Sequence, residues 1–105
     1  NTRIYFAGQI TGVEGYVESA MSGLCCGIHI YDEICGKAVR SFGTETVTGA
    51  LKAYISTPNK DFQPMNANFG ILAPLDVKIR DKKERYEALA KRALSAVEKI
   101  TEDLL

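Results

Sequence analysis

Hydrophobic residues recur at helical spacing in three parts of the chain. In the last part Tyr86, Leu89, Ala90, Ala93, Leu94, Val97 and Ile100 make one continuous apolar stripe, opposite Lys82, Lys83, Arg85, Lys91, Arg92 and Lys99. Asp81 and Glu84 stand at capping-box spacing, with Asp81 as N-cap. A C-terminal amphipathic helix is therefore predicted within 80–105. Before it, Val47, Ala50, Leu51, Tyr54 and Ile55 share one helical face, predicting a helix from Thr44 or Glu45 to about Ser56, with Pro58 just past its end. A first, long helix is predicted from Glu14 or Gly15 to Cys35, closed by Gly36 as a C-cap glycine. Within it Ser19, Gly23 and Gly27 repeat every four residues and leave one nearly bare stripe. Each such glycine costs about 1 kcal/mol relative to alanine. Close approach of a sheet or a second helix is expected to offset that.

Ahead of the first helix, Ile4 to Ala7 is an apolar run of β-formers, read as a short buried strand that Gly8 ends. Thr11 to Gly15 is read as a turn, and Lys37 to Phe42 as a short extended link. Residues 57–79 have no clear period, and a loop this long in a small domain is often functional. The expected fold class is α/β and predominantly helical: a short strand, a glycine-rich turn and three main helices. It divides into strand–turn–helix (1–36), helix and long loop (37–79) and final helix (80–105).

With 105 residues, 46% of them hydrophobic, the chain suffices for one domain. No apolar run approaches the roughly 20 residues of a bilayer helix, and no membrane partner is expected. No signal or transit segment is visible. The start, Asn1-Thr2-Arg3 without a methionine, reads as that of a fragment or processed product. A formal charge of zero excludes binding of polyanions by net charge. Between Lys78 and Arg92, however, seven Lys/Arg face three Asp/Glu. Such a segment can contact phosphates or be a solvated helix face. Cys25, Cys26 and Cys35 make an odd set without secretory marks, which suits a reducing cytoplasm better than a disulfide framework. Cys25 and His29 share a helical face, but no CxxC or HxxxH completes four ligands. No metal site is expected, and the cysteines read as packing residues.

The chemically suggestive stretch is FAGQITGVEGYVESAMSGL, Phe6 to Leu24, with glycines at 8, 12, 15 and 23 where the predicted strand gives way to a helix. Glycine lets something large approach the backbone. A helix start presents unpaired N–H groups and a partial positive charge. Gln9 can donate and accept hydrogen bonds at once. The combination suits a ligand with both donors and acceptors; a tight turn inside a core is the alternative. The spacing does not match GxGxxG, and no Walker A lysine is present.

RIYFAGQITGVEGYVESAMSGLCCG, Arg3 to Gly27, resembles the last flavin-binding segment of the TrmFO family, folate- and FAD-dependent tRNA (uracil-5-)-methyltransferases. GALKAYIS (49–56), NKDFQPMNANFGILAPL (59–75) and KIRDKKERYEALAKRAL (78–94) are similar to further stretches of that family, in the same order. The related MnmG (GidA) flavoproteins have a similar glycine-rich segment but not FQPMNANFG. The resemblance implies a C-terminal FAD-binding segment of a larger enzyme, completing a Rossmann-like fold whose GxGxxG half, insert domain and catalytic cysteines lie elsewhere.

On that resemblance Gly8, Gln9, Gly12, Val13, Glu14, Gly15 and Tyr16 would bind FAD. Gln9 stands where the pattern usually has the Asp that holds the ribityl hydroxyls. The amides of Val13 to Tyr16 would face the pyrimidine edge of the isoalloxazine. Glu14 is read as a first-turn residue rather than a general base, and no catalytic residue is expected in this segment. Phe62, Asn66, Asn68 and Phe69 are candidate wall residues for flavin or folate, against a loop closed by its own side chains. Lys82, Lys83 and Arg85 are candidate tRNA contacts. The whole enzyme, as the family implies, would use FAD, methylenetetrahydrofolate and NAD(P)H to methylate C5 of a T-loop uracil in cytoplasmic tRNA. The segment alone is expected to be inactive, without bound flavin and prone to self-association. Its partners would be tRNA and the missing N-terminal part. The rival readings are a related MnmG-like enzyme and a helical interaction module without a ligand.

Overall fold

Four left-handed glycines, at 8, 12, 15 and 36, and two side-chain caps set the element boundaries. The computed structural model describes residues 4–104. Helix α1 spans Tyr16–Ile34, α2 Val47–Ser56 and α3 Lys82–Thr101. Short 3-10 turns lie at Gln9–Thr11, Phe69–Ile71 and Glu102–Leu104. The molecule is mostly helical, with the three main helices that the periodicity predicts.

The short buried strand expected at Ile4–Ala7 does not form. These residues take no regular structure, and Ile4 and Phe6 are 60% and 71% exposed. A strand is stable only when a neighbour satisfies its backbone groups, and among the described residues none lies alongside. The segment instead lies on α1: the Gly8 amide donates to Ser22 Oγ at 2.7 Å, and the Tyr5 hydroxyl donates to the Glu33 carboxylate. The β-type pairing that is present is one parallel bridge between Val13 and Met65. There the Glu14 amide donates to Met65 O and the Met65 amide to Gly12 O, both at 2.9 Å.

Helix α1 starts after Gly15, at φ 113°, and ends at Ile34, with Gly36 in the left-handed region at φ 68° as the C-cap pattern requires. Helix α2 starts at Val47 rather than at Thr44 or Glu45. The reason is Thr46, whose Oγ1 accepts from the Gly49 amide at 2.9 Å and so fixes the N-cap. Gly49 is required by proximity: a β-carbon there would lie 2.6 Å from the Gly43 carbonyl carbon. Helix α3 begins as predicted, Asp81 accepting from the Glu84 amide at 3.0 Å.

The core is small. Ala50, Leu72 and Leu89 are buried together, with Val47, Ile71, Leu75 and Tyr86 packed around them. Leu51 and Val13, each 1% exposed, extend the buried set toward α1. Thus α2 sits centrally, between α1 on one side and the 69–75 segment on the other, and α3 contributes Leu89 and Tyr86.

Two polar ties lock this arrangement. Asp32, fully buried near the end of α1, accepts from Arg40 Nε at 2.8 Å, from Nη2 at 2.6 Å and from the Arg40 amide at 3.1 Å. The same guanidinium reaches Ile100 O at 3.1 Å and both oxygens of Asp103 at 2.7 and 3.0 Å. Arg92, expected on a solvated basic face, instead turns to the loop and donates to the carbonyls of Ala73 and Pro74. Leu94, expected in the apolar stripe of α3, is 67% exposed.

Candidate functional site

The glycine-rich turn and the long loop meet at the start of α1. Besides the Val13–Met65 bridge, the Ala67 amide donates to Glu18 Oε2 at 3.0 Å. The hydrogen bonds from the Ala67 amide and from Glu18's own amide hold the Glu18 carboxyl below its ordinary range. One acidic side chain in the first turn of α1 therefore fastens the loop across the helix opening, where the helix dipole favours a negative charge.

The seven residues of the turn fare differently. Gly8, at φ 86°, faces open space, since a β-carbon there would have nothing within 4 Å. Gln9 is exposed and opens the first 3-10 turn. Gly12, at φ 107°, is approached by the Phe62 ring. Val13 is buried, so its side chain belongs to the core. Glu14 precedes α1, exposed, with its amide committed to Met65. Gly15 and Tyr16 open the helix, and Tyr16 is 98% exposed. Among the described residues, no hydrogen bond engages the amides of Val13, Gly15, Tyr16 or Val17. These free amides lie at a helix start whose own glycine, Gly15, is covered by the Glu18 carboxylate, so an electron-rich ring edge or an anion would reach them only after Glu18 swings aside.

The candidate wall residues separate into two groups. Phe62 lies against Gly12 and is 5.4 Å from Tyr54, ring centroid to ring centroid. Asn66 and Asn68 flank Ala67, both exposed, and Asn68 Nδ2 donates to Asn66 O at 3.0 Å. Phe69 turns away to α3 and stacks on Tyr86, with centroids 4.4 Å apart and planes at 22°. Lys82 and Lys83 are exposed at the start of α3, and Lys82 and Arg85 sit 5.5 and 5.6 Å from the Tyr86 ring centroid.

Behind the glycine-rich turn, a cavity of about 290 Å³ lies between α1, α2 and the leading segment, lined by Phe6, Val13, Met21, Cys25, Leu51 and Ile55 among others. Its wall is mostly apolar, with Ser22, His29, Thr48 and Lys52 among its polar members. Burial pushes the Cys25 thiol up, which disfavours its thiolate. All three cysteines are free. Among the described residues, no three His, Cys, Asp or Glu side chains gather to hold a metal ion. Nor is any described helix long and apolar enough to cross a membrane.

The small-residue stripe that the spacing predicts on α1 is open in this chain. Gly23 and Gly27 have open space where a β-carbon would stand. Around them Tyr16, Val17, Leu24 and Ile34 are 66–98% exposed. The bare stripe of α1 is thus a face without a cover rather than a packed seam.

Comparison with known proteins adds the family context. The GIDA family, described as Glucose inhibited division protein A, matches residues 1–38. The chain is 52% identical over 102 residues to the Methylenetetrahydrofolate--tRNA-(uracil-5-)-methyltransferase TrmFO of Shouchella clausii, covering 96% of this chain and 23% of the relative. It is 56% identical over 103 residues to the TrmFO of Staphylococcus aureus strain Newman, covering 96% and 24%. The chain therefore spans about a quarter of the length of these relatives. The resemblance to TrmFO, within a wider GidA relationship, extends over nearly the whole of this chain.

Proposed function

We propose that this chain is the C-terminal part of a methylenetetrahydrofolate–tRNA-(uracil-5-)-methyltransferase and completes the FAD site of that enzyme. The observation that carries the reading is identity of 52–56% over 96% of the chain to proteins of that name. The GidA match ends at residue 38, whereas the TrmFO similarity runs on through α2 and α3. That favours a TrmFO-type activity over an MnmG-like one.

The residues present suit a flavin. Gly8 leaves open space at the turn, and Gln9 is exposed there with an amide able to meet a ribityl hydroxyl. Gly12, Val13, Glu14, Gly15 and Tyr16 shape the bend, and the amides of Val13, Gly15, Tyr16 and Val17 would meet the pyrimidine edge. Bound FAD would supply the redox chemistry that turns a folate-borne carbon into a methyl group, with methylenetetrahydrofolate as its source and NAD(P)H as reductant. This chain's part is to bind and orient: helix-start amides favour negative charge on the ring edge, and Phe62, Asn66 and Asn68 close the mouth. No catalytic residue is assigned here, so the chain alone is inactive and acts together with the rest of the polypeptide.

The uncovered face of α1 supports a larger fold. A Rossmann-like sheet supplied by the N-terminal part would bury Leu24 and Ile34 and use the small residues at 23 and 27 for close approach. Without that part, the chain would self-associate through the same face. The T-loop of cytoplasmic tRNA is the substrate this reading calls for.

The deciding experiment mixes this chain with the missing N-terminal part and titrates FAD. Flavin absorbance retained only in the mixture, and in the full-length protein, is the expected result. A full-length protein that never takes up flavin refutes the reading.

A further inference from the structure

Phe69 and Tyr86 stack at 4.4 Å, so one face of each ring is spent on the other. Phe69 nevertheless stays 37% exposed. Its remaining surface opens into a shallow concavity shared with Tyr86, Lys82, Lys83, Asp81 and Glu87. Lys82 Nζ and Arg85 Cζ lie 5.5 and 5.6 Å from the Tyr86 ring centroid. Two carboxylates oppose these cations: Asp81, which also caps α3, and Glu87. Phe62 serves the glycine-rich turn, whereas Phe69 has gone to α3. An aromatic surface bordered by cations is how proteins hold single-stranded nucleic acid: bases stack and phosphates meet the charges.

We propose that the Phe69–Tyr86 stack, with Lys82, Lys83 and Arg85, is a platform for one unpaired RNA base and its flanking phosphates. This rests on the reading of RNA as substrate and narrows it: the platform takes a looped-out or single-stranded nucleotide. A base inside a duplex has both faces stacked on its neighbours, and RNA recognition by aromatic stacking selects unpaired, unstacked positions. Phe69 thereby moves from the flavin or folate wall to the RNA side.

The test uses the full-length protein that contains this chain and a short single-stranded RNA carrying one 2-aminopurine. Binding to wild type should quench the fluorescence. Phe69→Leu should lose the quenching and bind about ten-fold more weakly, while Phe69→Tyr keeps both. Lys82→Ala with Lys83→Ala should keep the quenching and flatten the salt dependence of binding by about 1.4 in log–log slope, about 0.7 per lost phosphate contact. Quenching by Phe69→Leu equal to wild type overturns the platform. So does an unaltered salt slope in the lysine variant. Flavin absorbance of the same preparations separates the outcomes. A flavin-loaded protein that binds RNA without Phe69-dependent quenching sinks the platform alone. A protein that fails to bind the oligonucleotide sinks the platform, and one that also fails to bind tRNA sinks the tRNA reading with it.

Discussion

The Phe62 ring packs directly over Gly12: a β-carbon at position 12 would stand 2.9 Å from Phe62 Cε1 and meet Cζ more closely still. The large group approaching this glycine is thus a side chain of the long loop. Gly12 also holds φ 107°, which L residues rarely adopt. Gly12→Ala should therefore destabilise the fold by about 1–3 kcal/mol. In the Gly12→Ala, Phe62→Ala double variant only the steric share should be relieved. Urea unfolding of the single and double variants checks this, and an unchanged midpoint in Gly12→Ala would count against it.

Arg40's hydrogen bonds hold the Asp32 carboxyl down at about 2, from an ordinary 3.8. A depressed carboxyl pKa means that its contribution is complete above the unfolded value and disappears as pH falls through the folded one. Stability should fall between about pH 4 and pH 2. Asp32→Asn should be less stable at neutral pH and lose much of that acid dependence. Denaturant unfolding at stepped pH reads both effects. Asp103→Asn, on the half-exposed side of the same guanidinium, should cost less.

Leu51 is 1% exposed in the middle of α2. Leu51→Ala should cost about 2–5 kcal/mol, as buried leucine truncations do. A thermal or urea midpoint close to wild type would mean that the centre of the fold lies elsewhere.

Gly23 has room for a side chain, so Gly23→Ala should stabilise this chain by about 0.5–1 kcal/mol through helix propensity. Gly23→Leu should also be tolerated in the chain alone, yet lower flavin occupancy in the full-length protein by holding a sheet away from α1. Equal occupancy in the two full-length variants would show that nothing docks there.

Glu18→Ala should release the loop from the helix opening without unfolding α1. Hydrogen exchange at the Ala67 amide, which donates to Glu18, should speed up, while amides in the middle of α2 keep their protection. Uniform acceleration would point to global loosening instead.

What the chain's pattern could disclose was local. Asp81 with Glu84, the face through Val47 to Ile55, and Gly36 each announce themselves within a few positions, and the structure bears them out. Ile4–Ala7 misled because strand propensity says nothing about whether a neighbour is present to pair. Asp32–Arg40–Asp103 was invisible because those partners are set by tertiary packing and share no period. Arg92 looked like one more surface cation until the loop carbonyls of Ala73 and Pro74 came beside it. At the candidate site the glycines were legible, but Glu18 was not: an acidic residue in a first helical turn is commonplace, and its hold on Ala67 depends on where a distant loop lands.

The Arg40 guanidinium reaches Asp103, 63 residues further on, so the whole stretch from α1 to the end of α3 must be laid down before that clasp can shut. Loss of the turn that carries Asp103 would consequently be felt at the far tip of α1, where Asp32 would be left holding a half-occupied arginine.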